Sequence, residues 1–188
     1  MKKKEKLRIL RNEWDNCQRC DLYRDRHNVV HYRGKTKSKI FVIGEAPGKE
    51  EDLKGKPFVG KSGKVLDELI NEFDCDFFIA NTLACRPPNN RRPMSYEIRT
   101  CKERLYEMVR IIKPKVFIFL GLTPARYLAG ITVLGPWKGK IVDFTFDGKK
   151  EYKAVITYHP SYYLRNRNKK LRNEILGHFK IAVEYLEK

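Results

Sequence analysis

The stretch Lys39-Ile-Phe-Val-Ile-Gly-Glu-Ala-Pro-Gly48 decides the architecture. Its first half is a short, β-branched, apolar run, and its second half is a turn. A run of that length ending at Gly44 predicts a buried strand that empties into a tight loop. Two further runs have the same form, Phe77–Asn81 (FFIAN) and Val116–Leu120 (VFIFL), the latter closed by Gly121. Helical spacing fills the gaps between them. Val65, Leu66, Leu69, Ile70 and Phe73 share a face over 62–73, and Ser95 is placed to cap a helix reaching Ile112, stopped by Pro114. Thr123-Pro124 opens another helix. Lys138–Asp147 and Glu151–Thr157 read as strands around an Asp147-Gly148 turn, and Leu171–Leu186 reads as a terminal helix. Leu7, Leu10 and Trp14 predict a first helix that leads into Cys17 and Cys20. Alternating strands and helices predict an α/β fold, a single domain over residues 1–188. Its centre is expected to be a mainly parallel four-stranded sheet flanked by helices on both faces.

Ligands of such sheets bind beyond the carboxyl ends of the strands. Three loops leave strands there: 44–63, 81–93 and 158–165. They are rich in residues that a solvated connection does not require.

Composition narrows the partner. The chain of 188 residues carries 40 Lys and Arg against 23 Asp and Glu, a formal net charge of +17. Such a field draws polyanions, so DNA or RNA leads the partner classes. No apolar run approaches the length of a spanning helix, so no membrane is expected. Met-Lys-Lys-Lys is followed by Glu5 and Arg8 rather than by an apolar stretch, which does not read as a signal peptide. The expected compartment is cytoplasmic and reducing, where thiols hold metals rather than bridges.

Four of the five cysteines have the spacing of a metal site. Cys17 and Cys20 form a C-x-x-C pair, while Cys85 and Cys101 lie far downstream with residues 86–100 between them. Four thiolates suit zinc or an iron–sulfur cluster. Zinc ribbons use two tight pairs, so the open second half favours a [4Fe–4S] cluster. Cys75 is left over as a structural thiol.

The segments GEAPG at 44–48, GKPFVGKSG at 55–63, NTLACRPPNNRRP at 81–93 and YHPSYYLR at 158–165 together resemble the family 4 uracil-DNA glycosylases, in that family's order. The cysteine spacing is similar to that family's [4Fe–4S] ligand set. The resemblance implies an enzyme that flips deoxyuridine out of DNA, hydrolyses its N-glycosidic bond, and leaves an abasic site. It implies Phe58 as the platform under the flipped base, Asn81 as the amide that reads uracil, and His159 as the donor to uracil O2. Ala46 stands where other uracil glycosylases place a carboxylate. Glu45 is then the candidate to position the water, and Glu51 the candidate to exclude thymine at C5. The DNA grip is assigned to Arg86, Arg91, Arg92, Ser161, Leu164 and Arg165, with Leu164 or Arg165 as a wedge in the vacated stack. Uracil-containing DNA is the expected partner, and a monomer the expected state. The alternative is a catalytically weak or inactive DNA-binding or polymerase-associated protein that retains the fold. The presence of Phe58, Asn81 and His159 together argues against it.

Overall fold

The computed structural model describes residues 1–187. Its centre is one six-stranded sheet. The four inner strands are β2 (Ile40–Gly44), β3 (Phe77–Asn81), β4 (Val116–Leu120) and β6 (Glu151–Thr157), all parallel. Two antiparallel strands close the edges: β1 (Arg33–Gly34) on β3 and β5 (Ile141–Thr145) on β6, giving the order β1-β3-β2-β4-β6-β5. The four-stranded expectation therefore covers the parallel centre, and the sheet as a whole is mixed and wider. β1 is only two residues long, and its pairing with Ile79 and Phe78 is a tertiary event with no local pattern. The run 138–147 shortens to β5, because Gly135–Trp137 forms a 3-10 turn and Lys138 makes a lone bridge to Ile156.

Every residue of β2, β3 and β4 is buried, because helices cover both faces. Alternation sorts their side chains. Phe41, Ile43, Phe78, Phe117 and Phe119 pack with Leu7 of α1 (Lys3–Asp15), Met108 of α4 (Ser95–Ile112) and Leu128 of α5 (Leu122–Ala129). Ile40, Val42, Ile79 and Ile118 pack on the other face with Leu66 of α3 (Lys61–Ile70) and Phe179 of α7 (Lys169–Glu184). Short helices α2 (Lys49–Lys54) and α6 (Pro160–Arg165) stand above the sheet's carboxyl end. α4 begins at Ser95 but is not capped by it. Met94 is the capping position, and Glu97 accepts the Met94 amide at 2.7 Å. Among the described residues no helix is long and apolar enough to cross a membrane.

Candidate active site

The parallel register sets Gly44 beside Asn81 and Leu120 beside Thr157, so the loops after β2, β3 and β6 leave the same edge. A cleft of about 500 Å³ opens there, bordered by Ala46, Glu51, Phe58, Asn81, His159, Ser161 and Arg165. Close packing shapes its floor. A Cβ on Gly44 would lie 2.4 Å from Asn81 Oδ1 and 2.4 Å from Phe58 Cζ, so only glycine lets the three meet. Phe58 itself has φ of 54°, a left-handed conformation that costs an aromatic residue about 1–3 kcal/mol. Gly63 at the start of α3 sits against its carbonyl, where a Cβ would approach to 2.0 Å. The ring is only 6 % exposed and lies 6.1 Å from the His159 ring, centre to centre.

Asn81 ends β3, and the alternation that buries Phe77 and Ile79 turns its side chain to the same face, toward Phe58. Its Oδ1 is buried and has no hydrogen-bond partner in the protein. Leaving such an acceptor unpaired costs about 1–3 kcal/mol, a cost that a ligand N–H can offset.

His159 lies between β6 and α6, where it is the capping residue of that helix. Its Nδ1 accepts the Ser161 amide at 3.2 Å and lies 2.8 Å from Ser161 Oγ. An Nδ1 that accepts an N–H carries no proton, so Nε2 holds the ring's hydrogen. Burial first and the Arg165 charge next lower the pKa to about 4, against the opposing pull of Glu51. At neutral pH the group is a neutral imidazole with one N–H to donate.

The two acids divide. Glu51 borders the cleft, but its oxygens are engaged by backbone. Oε1 accepts Val59 N at 2.9 Å and Gly60 N at 2.7 Å, and Oε2 accepts Gly48 N at 3.1 Å. The carboxylate thus ties the 44–48 turn to the Phe58 loop. Glu45 is not among the cleft residues; its Oε2 accepts the Thr123 hydroxyl at the first turn of α5.

The basic residues divide as well. Arg165 stands exposed at the cleft rim. Arg91 makes a two-pronged pair with the fully buried Glu97, at 3.0 and 2.5 Å. Burial pushes the Glu97 pKa up, but the Arg91 and Met94 hydrogen bonds outweigh it and hold it below the usual range. Arg86 donates to Asn90 Oδ1 at 2.7 Å, and Arg92 is exposed. None of Arg86, Arg91 and Arg92 borders the cleft, and Leu164 is half-buried against the α3–α7 core. Asn90, Lys49, Lys61 and Ser62 do border it, and the sequence reading passed over them. Asn89 and Asn90 both have positive φ, 52° and 54°, and an Asn-Asn pair is a sequence sign of such a turn.

On the other face, Cys17, Cys20, Cys85 and Cys101 line one pocket with Trp14, Val29 and Ala84. All are free thiols. Burial pushes Cys85 up to about 11 despite the neighbouring Arg26, whose Nη1 lies 3.4 Å from its sulfur. Among the described residues no three His, Cys, Asp or Glu side chains are placed to hold a single metal ion. The four thiols surround a space instead. Four soft donors around an apolar space fit a cluster of several atoms.

Comparison with known proteins agrees with this geometry. The family model of the Uracil DNA glycosylase superfamily matches residues 31–186. A type-4 uracil-DNA glycosylase of Thermotoga maritima is 36 % identical over 99 % of this chain and 97 % of its own length. One of Archaeoglobus fulgidus is 37 % identical over 94 % and 91 %, and one of Saccharolobus solfataricus 39 % identical over 86 % and 79 %. A match of that extent makes this chain a member of the uracil DNA glycosylase superfamily.

Proposed function

We propose that this chain is a monofunctional uracil-DNA glycosylase of the type-4 kind, acting on uracil-containing DNA as a monomer and as one domain. The observation that carries the reading is the buried, unpartnered Asn81 Oδ1 in the same cleft as a neutral His159. An amide both accepts and donates, which fits N3–H and O4 of uracil. Cytosine offers a donor at the O4 position and leaves that amide mispaired. Phe58 supplies the face on which the flipped base stacks.

The C1′–N1 bond breaks with its electron pair passing to the base, leaving an oxocarbenium-like sugar. Negative charge gathers on uracil O2, and the Nε2–H of His159 is the oriented donor that stabilises it. Water adds to C1′ and releases its proton, and the uracil anion is protonated on leaving. Glu45, next to cleft-lining Ala46 and held at one carboxylate oxygen by Thr123, is the acid proposed to orient that water, although its side chain does not itself line the cleft.

Cys17, Cys20, Cys85 and Cys101 would hold a [4Fe–4S] cluster. When bound, it would cross-link the N-terminal segment to the 85–101 loop. Free thiols and a DNA substrate fit an intracellular, reducing compartment.

The test is a labelled oligonucleotide containing one deoxyuridine, incubated with excess protein and then treated with alkali. Strand breakage at the uracil supports the reading. Intact strands from folded, iron-replete protein overturn it.

A further inference from the structure

Among the described residues Arg104 is the largest fully buried side chain, and none of the assigned chemistry uses it. It projects from α4 one turn after Cys101. Nη2 donates to the carbonyl of Asn81 at 2.9 Å, and Nη1 donates to the carbonyl of His31 at 3.3 Å and touches Met108 Sδ at 3.8 Å. Nε is buried with no partner. Among the described residues no carboxylate forms an ion pair with it, whereas the buried Glu97 carboxylate does find a counter-charge in Arg91. A guanidinium does not lose its proton in a protein. Burying one without a counter-ion costs several kcal/mol, which hydrogen bonds to two carbonyls offset only in part.

The place of that charge is specific. β3 alternation turns the Asn81 side chain to the cleft face, while its carbonyl is gripped by Arg104 from α4, on the opposite face of the sheet. The charge is felt by its neighbours. His31 is driven down to about 4 by burial first and by Arg104 next.

We infer that Arg104 is a positioning residue for excision. It fixes the Asn81 end of β3, and its positive charge, paired with no carboxylate among the described residues, lies under the cleft floor where it favours the departing uracil anion. The inference rests on the glycosylase reading above. In a dry interior a fixed charge acts at longer range than in water, and it needs no reorganisation as the bond breaks. The same helix carries Cys101, so the cluster pocket and the base-reading amide share one rigid support.

A field on the leaving group has a signature that simple loss of structure lacks. Fluorine at C5 withdraws electrons and makes the base a better leaving group, which reduces its need for help. Single-turnover excision of uracil and of 5-fluorouracil is therefore compared in wild type, Arg104→Met and Arg104→Lys, with melting temperature and iron content measured for each. In Arg104→Met, uracil excision is expected to fall about 10²-fold, the scale of losing one electrostatic contributor. The 5-fluorouracil rate should fall several-fold less. Arg104→Lys keeps the charge without the fork, so both rates should fall together and their ratio stay at the wild-type value. Equal losses on both bases in folded Arg104→Met overturn the field. If Arg104→Met does not fold, a widened ratio in Arg104→Lys overturns it instead, and wild-type rates there overturn the positioning role. Wild-type protein that excises neither base counts against the glycosylase reading, not against Arg104 alone.

Discussion

Glu51 and Gly60 are joined by a 2.7 Å hydrogen bond from the Gly60 amide to Oε1, and the same carboxylate also receives the amides of Gly48 and Val59. A side chain read from sequence as a guard against thymine is thus the clasp between two loops of the cleft. Glu51→Gln turns one acceptor into a donor that faces an amide, and hydrogen bonds to a charged group are worth about 1.5–3 kcal/mol. The variant should lose stability on that scale and excise uracil more slowly, with discrimination against thymine unchanged. Urea melts and paired uracil and thymine substrates check this. New activity on thymine would restore the guarding role.

His159 is expected to set the acid limb of activity. Its pKa of about 4 leaves the ring neutral, and able to donate from Nε2 alone, down to acid pH. Single-turnover excision should stay level from pH 8 to about 5, without the inflection near 6.5 of an ordinary histidine. Arg165→Ala removes a charge that lowers this pKa and should shift the limb toward neutrality. Stability follows with a definite sign. Between about 6.5 and 4 the unfolded chain binds protons that folded His159 and His31 refuse. Stability should be greatest above that window and fall as pH drops through it. His159→Ala should lower the rate by about 10²–10³, the scale of one oxyanion donor. DNA affinity, set mainly by phosphates, should hold.

Arg91 and Arg165 should behave differently although sequence grouped them. Breaking the Arg91–Glu97 pair leaves a buried carboxylate without its counter-charge, which costs about 3–5 kcal/mol. Arg91→Ala should melt early and take the 85–101 loop with it. Arg165→Ala, like Arg86→Ala and Arg92→Ala, should fold normally and flatten the salt dependence of DNA binding by about one unit per lost phosphate contact. A normal melting curve for Arg91→Ala would contradict the assignment.

Cysteine replacements separate ligand from bystander. Protein prepared without oxygen should be brown and carry about four irons per chain. Cys101→Ala should lose colour and solubility, while Cys75→Ala should keep both, since Cys75 packs at the edge of the α3–α7 core, away from the four-thiol pocket. Iron and zinc analysis decides, and a colourless protein with one zinc would refute the cluster.

The parallel centre was legible because each inner strand is an unbroken apolar run ending in a turn residue, and the cleft loops because their motifs are contiguous. What stayed hidden is non-local. Nothing near Glu45 announces Thr123, seventy-eight positions later. Glu97 looks like an ordinary first-turn acid until the fold buries it under Arg91. Arg104 reads as one more surface charge on a polar helix. β1 exists only because β3 offers it an edge. In each case a short local signal was overruled by a partner brought close by the sheet.

The left-handed backbone of Phe58, wedged between Gly44 and Gly63, bears on what the enzyme refuses. A wall with little slack should not retreat for a larger guest, so bases are expected to be sorted by outline before any amide reads them. Purines should be turned away by stiffness, at no cost in polar contacts. Hypoxanthine, which shares uracil's carbonyl and N–H pattern but carries a second ring, should stay uncut even at enzyme excess, and its release would show that the ring can yield.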